Sequence, residues 1–498
     1  MRAFVFLTFA AVACGTGSRV HPAGDEGPTS AQTPLPAALR RVTISVEGSG
    51  AIRSDPAGVD CTGTCSAEFP AATTVRLTAL ADPDWEFDAF HGTCAGDSCE
   101  LTLAADMAVA ARFRRRSAFL SVVIAGDGSG RIASTPAGID CPGRCSAPFL
   151  AGTKVGLFSS PAALSRFSGW SGACTGKECQ VVVHADTSAV ARFDLRRYAV
   201  TFIAGPQSLA STISPRSGLV AGAWFSGGEF FWDGVLHDVG MAWPTDLHAI
   251  NDSGTIVGVH GTSPAFRAFR WDAGVATDLP TLGGGSSWAN AINARGVIAG
   301  WSELADQRVH ATSWVDGFAV DLGVIDRACG LSQAFGINSD AVIVGEACVG
   351  GAMHPVRFRK PGVIDDLGSW GGTYARAVAI NDAGVIVGYA TRPRQWTYHA
   401  FVWMDGTALR DVGSLPGLAN SYLGCINGAG VAAGISFDEQ DVVRRGIVWG
   451  EDRLFDLNDL VVPGPYFIDS AACVDESGRI AAMSVFNSEP RAVLLTPL

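Results

Sequence analysis

Lysine is nearly absent from this chain. Three lysines stand among 36 basic residues, set against 48 acidic ones, for a formal charge of −12 over 498 residues. No basic stripe is available to neutralise a phosphate backbone, so a nucleic-acid partner is excluded. No apolar segment approaches the roughly 20 residues that a membrane-spanning helix needs. The strings G-x-S-x-G, H-E-x-x-H and C-x-x-C do not occur. The glycine clusters Gly126–Gly130 and Leu282–Trp288 lack the Lys-Ser/Thr that a phosphate cradle requires. These absences leave no catalytic residue, no metal site and no cofactor to assign. What the chain does have is 60 glycines and 48% hydrophobic residues, which together indicate many turns joining short buried strands.

Residues Ala3 to Ala13 are apolar apart from Thr8 and are followed by Cys14. The length suits a secretory signal peptide. Ala11-Val12-Ala13-Cys14 resembles a bacterial lipobox, which implies cleavage of residues 1–13 and acylation of Cys14. With Gly15 rather than Asp after the cysteine, the resemblance implies an outer-membrane lipoprotein held by its lipid, on the surface or the periplasmic face. Residues 14–40 follow as a Gly-, Pro- and Ser-rich linker.

An offset of 80 residues aligns 41–115 with 121–195 without a gap, with 31 of 75 positions identical. Two modules, 41–115 and 116–196, are therefore tandem copies. Each opens with an alternating run and a tight turn, Glu47-Gly48 or Asp127-Gly128, that reads as a hairpin. Export favours disulfides over zinc for the duplicated cysteines. The expected pairs are Cys61 with Cys65, Cys94 with Cys99, Cys141 with Cys145 and Cys174 with Cys179. The segments FSGWSGACTG and PAGIDC resemble divergent InlB B-repeat modules of bacterial surface proteins, which implies small β domains used as spacers. Phe90 in the first copy stands where Trp170 stands in the second, and both are expected in the cores.

From Tyr198 a motif of the form Ile-Asn-x-x-Gly-x-Ile/Val-x-Gly recurs at Asn251, Asn293, Asn338, Asn381 and Asn427, with weaker copies at Ser214 and Asp475. Seven copies about 43 residues apart fit four-stranded propeller blades. The Asn and Gly are expected to supply positive φ at a turn. The third strand ends in Trp271, Trp314, Phe358, Trp403 or Trp449, and the fourth in a Asp-Leu/Val string. The last copy lacks a fourth strand, which Tyr198–Ile203 can donate to close the ring. The INDSG, HAFVW and DVG strings resemble the bacterial HAF repeat family, which implies an extracytoplasmic array across 197–498. The expected fold is all-β: two small disulfide-containing modules followed by a seven-bladed β-propeller.

His310, His354 and His399 hold equivalent places in successive repeats, where neighbouring blades diverge, and are read as structural. Asp278, Asp321, Asp366, Asp411 and Asp456 are read as hairpin caps. The Asn-Asp-x-Gly turns lack the further acidic ligands of a calcium loop. Cys329 and Cys348 flank Asn338 symmetrically and are expected to form a disulfide. Cys425 and Cys473 occupy a place where other copies have Ala or Gly, and buried thiols are expected there. Trp288, Trp370 and Trp396 lie in Gly- or Pro-rich sequence suited to stacking on a ligand. The expected role is a monomeric, envelope-anchored binding or adhesion protein for a glycan, peptide or cell-surface protein. The alternative is a propeller enzyme, a glycoside hydrolase or lyase whose acids come from several blades.

Overall fold

The computed structural model describes residues 38–241 and 244–498. The expected signal peptide, Cys14 and almost all of the expected linker lie outside the described residues. Two compact units divide at Arg116/Ser117. Apart from one short helix, Leu457–Leu460, every element is a strand, and no described helix is long and apolar enough to cross a membrane.

The first unit packs two four-stranded sheets face to face. One is ordered Cys65–Pro70, Leu39–Glu47, Met107–Arg115, Trp85–Gly92; the other Asp60–Cys61, Gly50–Asp55, Thr74–Ala81, Cys99–Thr102. Alternating residues of both, among them Val42, Ile44, Ile52, Val75 and Phe113, fill the space between. Leu39–Glu47 runs parallel to Met107–Arg115. The turn at Glu47-Gly48 therefore does not close a hairpin: it carries the chain from one sheet to the other. The alternation that marks a strand does not say which sheet the next strand joins. Gly48 allows this crossing because a Cβ there would lie 2.3 Å from the Phe113 carbonyl oxygen. Cys61–Cys65 ties the two sheets together at an edge, and Cys94–Cys99 clips the loop that leads from one sheet to the other. Phe90 is buried in the core.

The second unit begins with the second copy of that sandwich, ordered in the same way, so the Asp127-Gly128 turn likewise changes sheet. Cys141 pairs with Cys145 and Cys174 with Cys179, and Trp170 is buried among Leu120, Val155 and Phe193. The rest of the unit is a ring of four-stranded antiparallel sheets. Their inner strands are Ser208–Ile213, Thr245–Ile250, Gly283–Ile292, Ser332–Ile337, Ala375–Ile380, Asn420–Ile426 and Tyr466–Val474. Each touches the next, and the seventh touches the first, which makes the ring a β-propeller. The outer strand of the seventh sheet, Tyr198–Pro206, pairs with Glu489–Pro497 in the register Tyr198↔Pro497 to Phe202↔Val493. One sheet thus holds both ends of the array.

The recurring Asn is the joint of the ring. The residue three after it takes positive φ, as in Gly254 and Gly384 and, after Asn338, Ala341; the Asn acts through its side chain. Its Oδ1 accepts the N–H four residues on, from Thr255, Val297, Val342, Val385 and Val431 at 2.9 to 3.0 Å. Its Nδ2 donates to the backbone carbonyl of the ladder residue in the next sheet. This bond runs from Asn251 to Asn293, Asn338, Asn381, Asn427 and finally Asp475. All five asparagines are buried, so each satisfies a turn and a neighbouring strand with one amide. Asp475 cannot donate onward; its second oxygen instead takes Arg479 Nε at 2.7 Å. A second band joins the sheets farther out: Ala268, Ala311, Ala400 and Ala492 donate their N–H to Ser287, Ser332, Ser421 and Ser208.

Cys425 and Cys473 form a disulfide between the sixth and seventh sheets, which corrects the expectation of free thiols. The position is crowded because adjacent inner strands come closest there. At the equivalent Gly336 a Cβ would meet the Val378 carbonyl oxygen at 2.6 Å. The same closeness sets the two cysteine Cα atoms 5.0 Å apart, inside bonding range. Cys329 and Cys348 are also joined.

The second sandwich is docked on the ring. Leu164 is 3% exposed and packs with Tyr198, Val431, Leu460 and Leu495. Glu451 accepts from Leu164 N at 2.9 Å, from Ser165 Oγ at 3.2 Å and from Ser129 Oγ. An isolated spacer would not bury a leucine in this way.

Candidate functional site

At the end of the ring opposite the Asn turns, the fourth to sixth sheets surround a cavity of about 1030 Å³. The fold places its walls at places of fixed register. Arg376 and Tyr422 lie five residues before their ladder asparagines, on inner strands. Tyr389 directly follows the Ile-Val-Gly of a second strand. Tyr374 and Tyr398 sit where an inner and a third strand begin, and Phe437 where a second strand ends. Strand pleating turns these positions to one side, so three sheets contribute to one surface.

The rings form a continuous aromatic wall. Tyr389 lies 6.0 Å from Tyr374, 5.5 Å from Tyr398 and 5.9 Å from Tyr422 between centroids, and Tyr398 lies 5.9 Å from Phe437. Burial pushes the Tyr374, Tyr389 and Tyr422 hydroxyls above their ordinary range. Arg376 crosses the floor. Its guanidinium is 3.9 Å from the Phe335 centroid and 5.5 Å from that of Tyr374. It also forms a two-pronged pair with the buried Glu346 at 2.8 and 2.9 Å. Burial opposes the Arg376 charge, and the Glu346 bond and charge outweigh it, leaving this pKa above its usual value. At the rim Arg444 is paired in the same way with Asp441, with Nε to Oδ1 at 2.7 Å. Both cations of the lining are therefore already neutralised by carboxylates of the chain itself.

Of the three tryptophans singled out by sequence, one reaches this cavity. Trp396 stands at its rim and is 92% exposed. Trp288 is stacked between His248 at 5.5 Å and Trp301 at 5.7 Å, with both faces covered. Trp370 donates Nε1–H to the Leu409 carbonyl at 3.1 Å and packs against the core between sheets. The remaining wall was missed because its residues are those in which repeats differ at a shared position. The place after the last Gly of the motif holds Trp301, Glu346, Tyr389 and Ile435 in turn, and the aligned repeats carried that signal.

The repeated histidines are spent within their own sheets. Nδ1 of His310, His354 and His399 meets Asp321, Asp366 and Asp411 at 3.0 to 3.1 Å. His260 Nε2 meets Asp278 at 2.7 Å. The same aspartates Asp321, Asp366 and Asp411 accept the N–H of the glycine two residues on, and Asp456 caps the short helix. Burial raises the Asp411 pKa, but His399, Arg392 and the Gly413 N–H together bring it down to about 2. Among the described residues no group of three His, Cys, Asp or Glu side chains is placed to hold a metal ion.

Residues 52–117 match the family model of the divergent InlB B-repeat domain. No curated protein matches the chain. Solved structures similar to it include a virginiamycin B lyase from Staphylococcus aureus, 12% identical with a TM-score of 0.41, over 60% of this chain and 99% of that one. A gluconolactonase from Xanthomonas campestris is 15% identical with a TM-score of 0.32, over 60% and 89%. The six-bladed, fucose-recognising lectin of Aleuria aurantia is 11% identical with a TM-score of 0.27, over 60% and 97%. Enzymes and a lectin thus stand side by side at identities too low to choose between them, and the choice falls to the residues of this chain.

Proposed function

We propose that this protein is an exported, lipid-anchored binding protein whose propeller takes its ligand in the aromatic cavity of the fourth to sixth sheets. The observation that carries the reading is the state of the lining. Its arginines are paired internally, and aromatic faces with hydroxyl and amide groups and one further carboxylate, Glu439, remain to meet a partner. Those are recognition groups rather than an acid and base poised for turnover. The signal-like start, the lipobox at Cys14 and six disulfides support an oxidising, extracytoplasmic address.

Binding of the full exported chain to an array of glycans and peptides tests the site. Signal that Trp396→Ala and Tyr398→Ala both reduce is the expected result; signal indifferent to both would overturn the assignment. Fatty-acid labelling of a Cys14→Ser variant tests the anchor: loss of label is expected, and retained label would refute it.

A further inference from the structure

We infer that the ligand is an oligosaccharide without anionic groups, an inference that rests on the cavity being the binding site. Charge comes first. Arg376 is bonded twice to Glu346 and Arg444 twice to Asp441, so no cation is spare for a phosphate, sulfate or uronate group. An anionic ligand would find both guanidinium charges already balanced, and drawing Arg376 to itself would leave the buried Glu346 uncompensated. Shape comes next. The volume of about 1030 Å³ stands at the upper end of small-molecule sites, more than one sugar ring would fill.

Chemistry is the third argument. A sugar ring presents an apolar C–H face bordered by hydroxyls, and the wall has the complementary pattern. Tyr389, Tyr398, Tyr422 and Phe437 supply faces, while the tyrosine hydroxyls, Gln395 and Thr397 supply polar groups between them. Trp396 leaves 92% of its surface in water at the rim. An indole held out this far is a platform for a further ring of a chain leaving the cavity.

Titration calorimetry on the full exported chain decides the matter. The probes are neutral hexasaccharides of glucose, mannose, xylose and N-acetylglucosamine, a hexamer of galacturonic acid and a peptide panel, each at low and high salt. The expected result is binding of at least one neutral hexamer with an affinity that salt leaves within about twofold. Trp396→Ala should weaken it about tenfold, the scale of one lost stacking contact. Tyr398→Phe, which keeps the ring, should weaken it less than Tyr398→Ala. Preference for the uronate, or peptide binding that Tyr398→Ala abolishes, would overturn the saccharide while leaving the binding site in place. Binding untouched by both alanine variants, or no binding at all, would overturn site and ligand class together.

Discussion

Asn381 is the sharpest place to test how the ring is held together. Its Oδ1 accepts Val385 N–H at 2.9 Å, its Nδ2 donates to the Asn427 carbonyl at 3.0 Å, and its own carbonyl receives Asn338 Nδ2. Asn381→Ala leaves the Val385 N–H without a partner and takes from the Asn427 carbonyl one of its two donors, the Gly430 N–H remaining. At about 1–3 kcal/mol for one orphaned group, the loss is about 2 kcal/mol, or a fall of roughly 4 °C in Tm for a ring of this size. Asn381→Asp separates the two roles. A carboxylate still caps Val385 N–H, but it faces the Asn427 carbonyl as acceptor against acceptor, and no neighbour offers what Arg479 offers Asp475. The aspartate variant should therefore be destabilised at pH 7 and recover part of the loss near pH 4, where a protonated carboxyl can donate. Thermal melts of the parent and both variants across that range make the test. An aspartate variant as stable as the parent at pH 7 would show that the inter-sheet bond contributes nothing, and the account of the ladder would fail.

Glu229 replaces the small residue of the third strand in the first sheet. It is 1% exposed, and burial, with Asp246 and Asp238 nearby, pushes its pKa up to about 7. A carboxyl raised from about 4.5 favours the folded state when protonated, so stability should fall between pH 4.5 and 7 by on the order of 2–3 kcal/mol and then level off. Glu229→Gln should flatten that profile in denaturant titrations, and a parent already flat would refute the assignment. Ala341 holds the turn position that is Gly in five other repeats, at φ 61°; Ala341→Gly should add up to about 1 kcal/mol, and a lower Tm would count against strain there. Cys473→Ala should cost about 3 kcal/mol. In the parent neither Cys425 nor Cys473 should alkylate before reduction, and labelling of both would contradict the bridge.

What could be read from sequence follows from how each feature is encoded. The Asn turn is written in every strong copy, so its register and the strand donated by Tyr198 were legible. The aromatic cavity is written once, at positions such as Arg376, Tyr389 and Tyr422 where copies disagree, and repeat averaging hides it. In the modules, alternation located the strands but could not say that Leu39–Glu47 and Gly50–Asp55 belong to different sheets, since local pattern carries no partner. Cys425 and Cys473 looked like space-saving substitutions because the closeness that demands small residues exists only between sheets. Trp288 and Trp370 were selected by neighbourhood composition, whereas their fate was set by His248, Trp301 and the Leu409 carbonyl, all distant in sequence or across a seam.

The exchange of strands in the seventh sheet also imposes an order of assembly. During synthesis the segment Tyr198–Pro206 emerges well before its partner Glu489–Pro497. The ring therefore has to wait as an open arc with one unsatisfied edge. The second sandwich is better timed: its core lies wholly between Ala118 and Phe193, so it can be complete while the arc is still growing. It then presents Leu164 beside the waiting strand, where the leucine packs against Tyr198 and, once the last strand arrives, Leu495. The docked module thereby becomes a template for closure, and a chain lacking it should close its ring late and aggregate first.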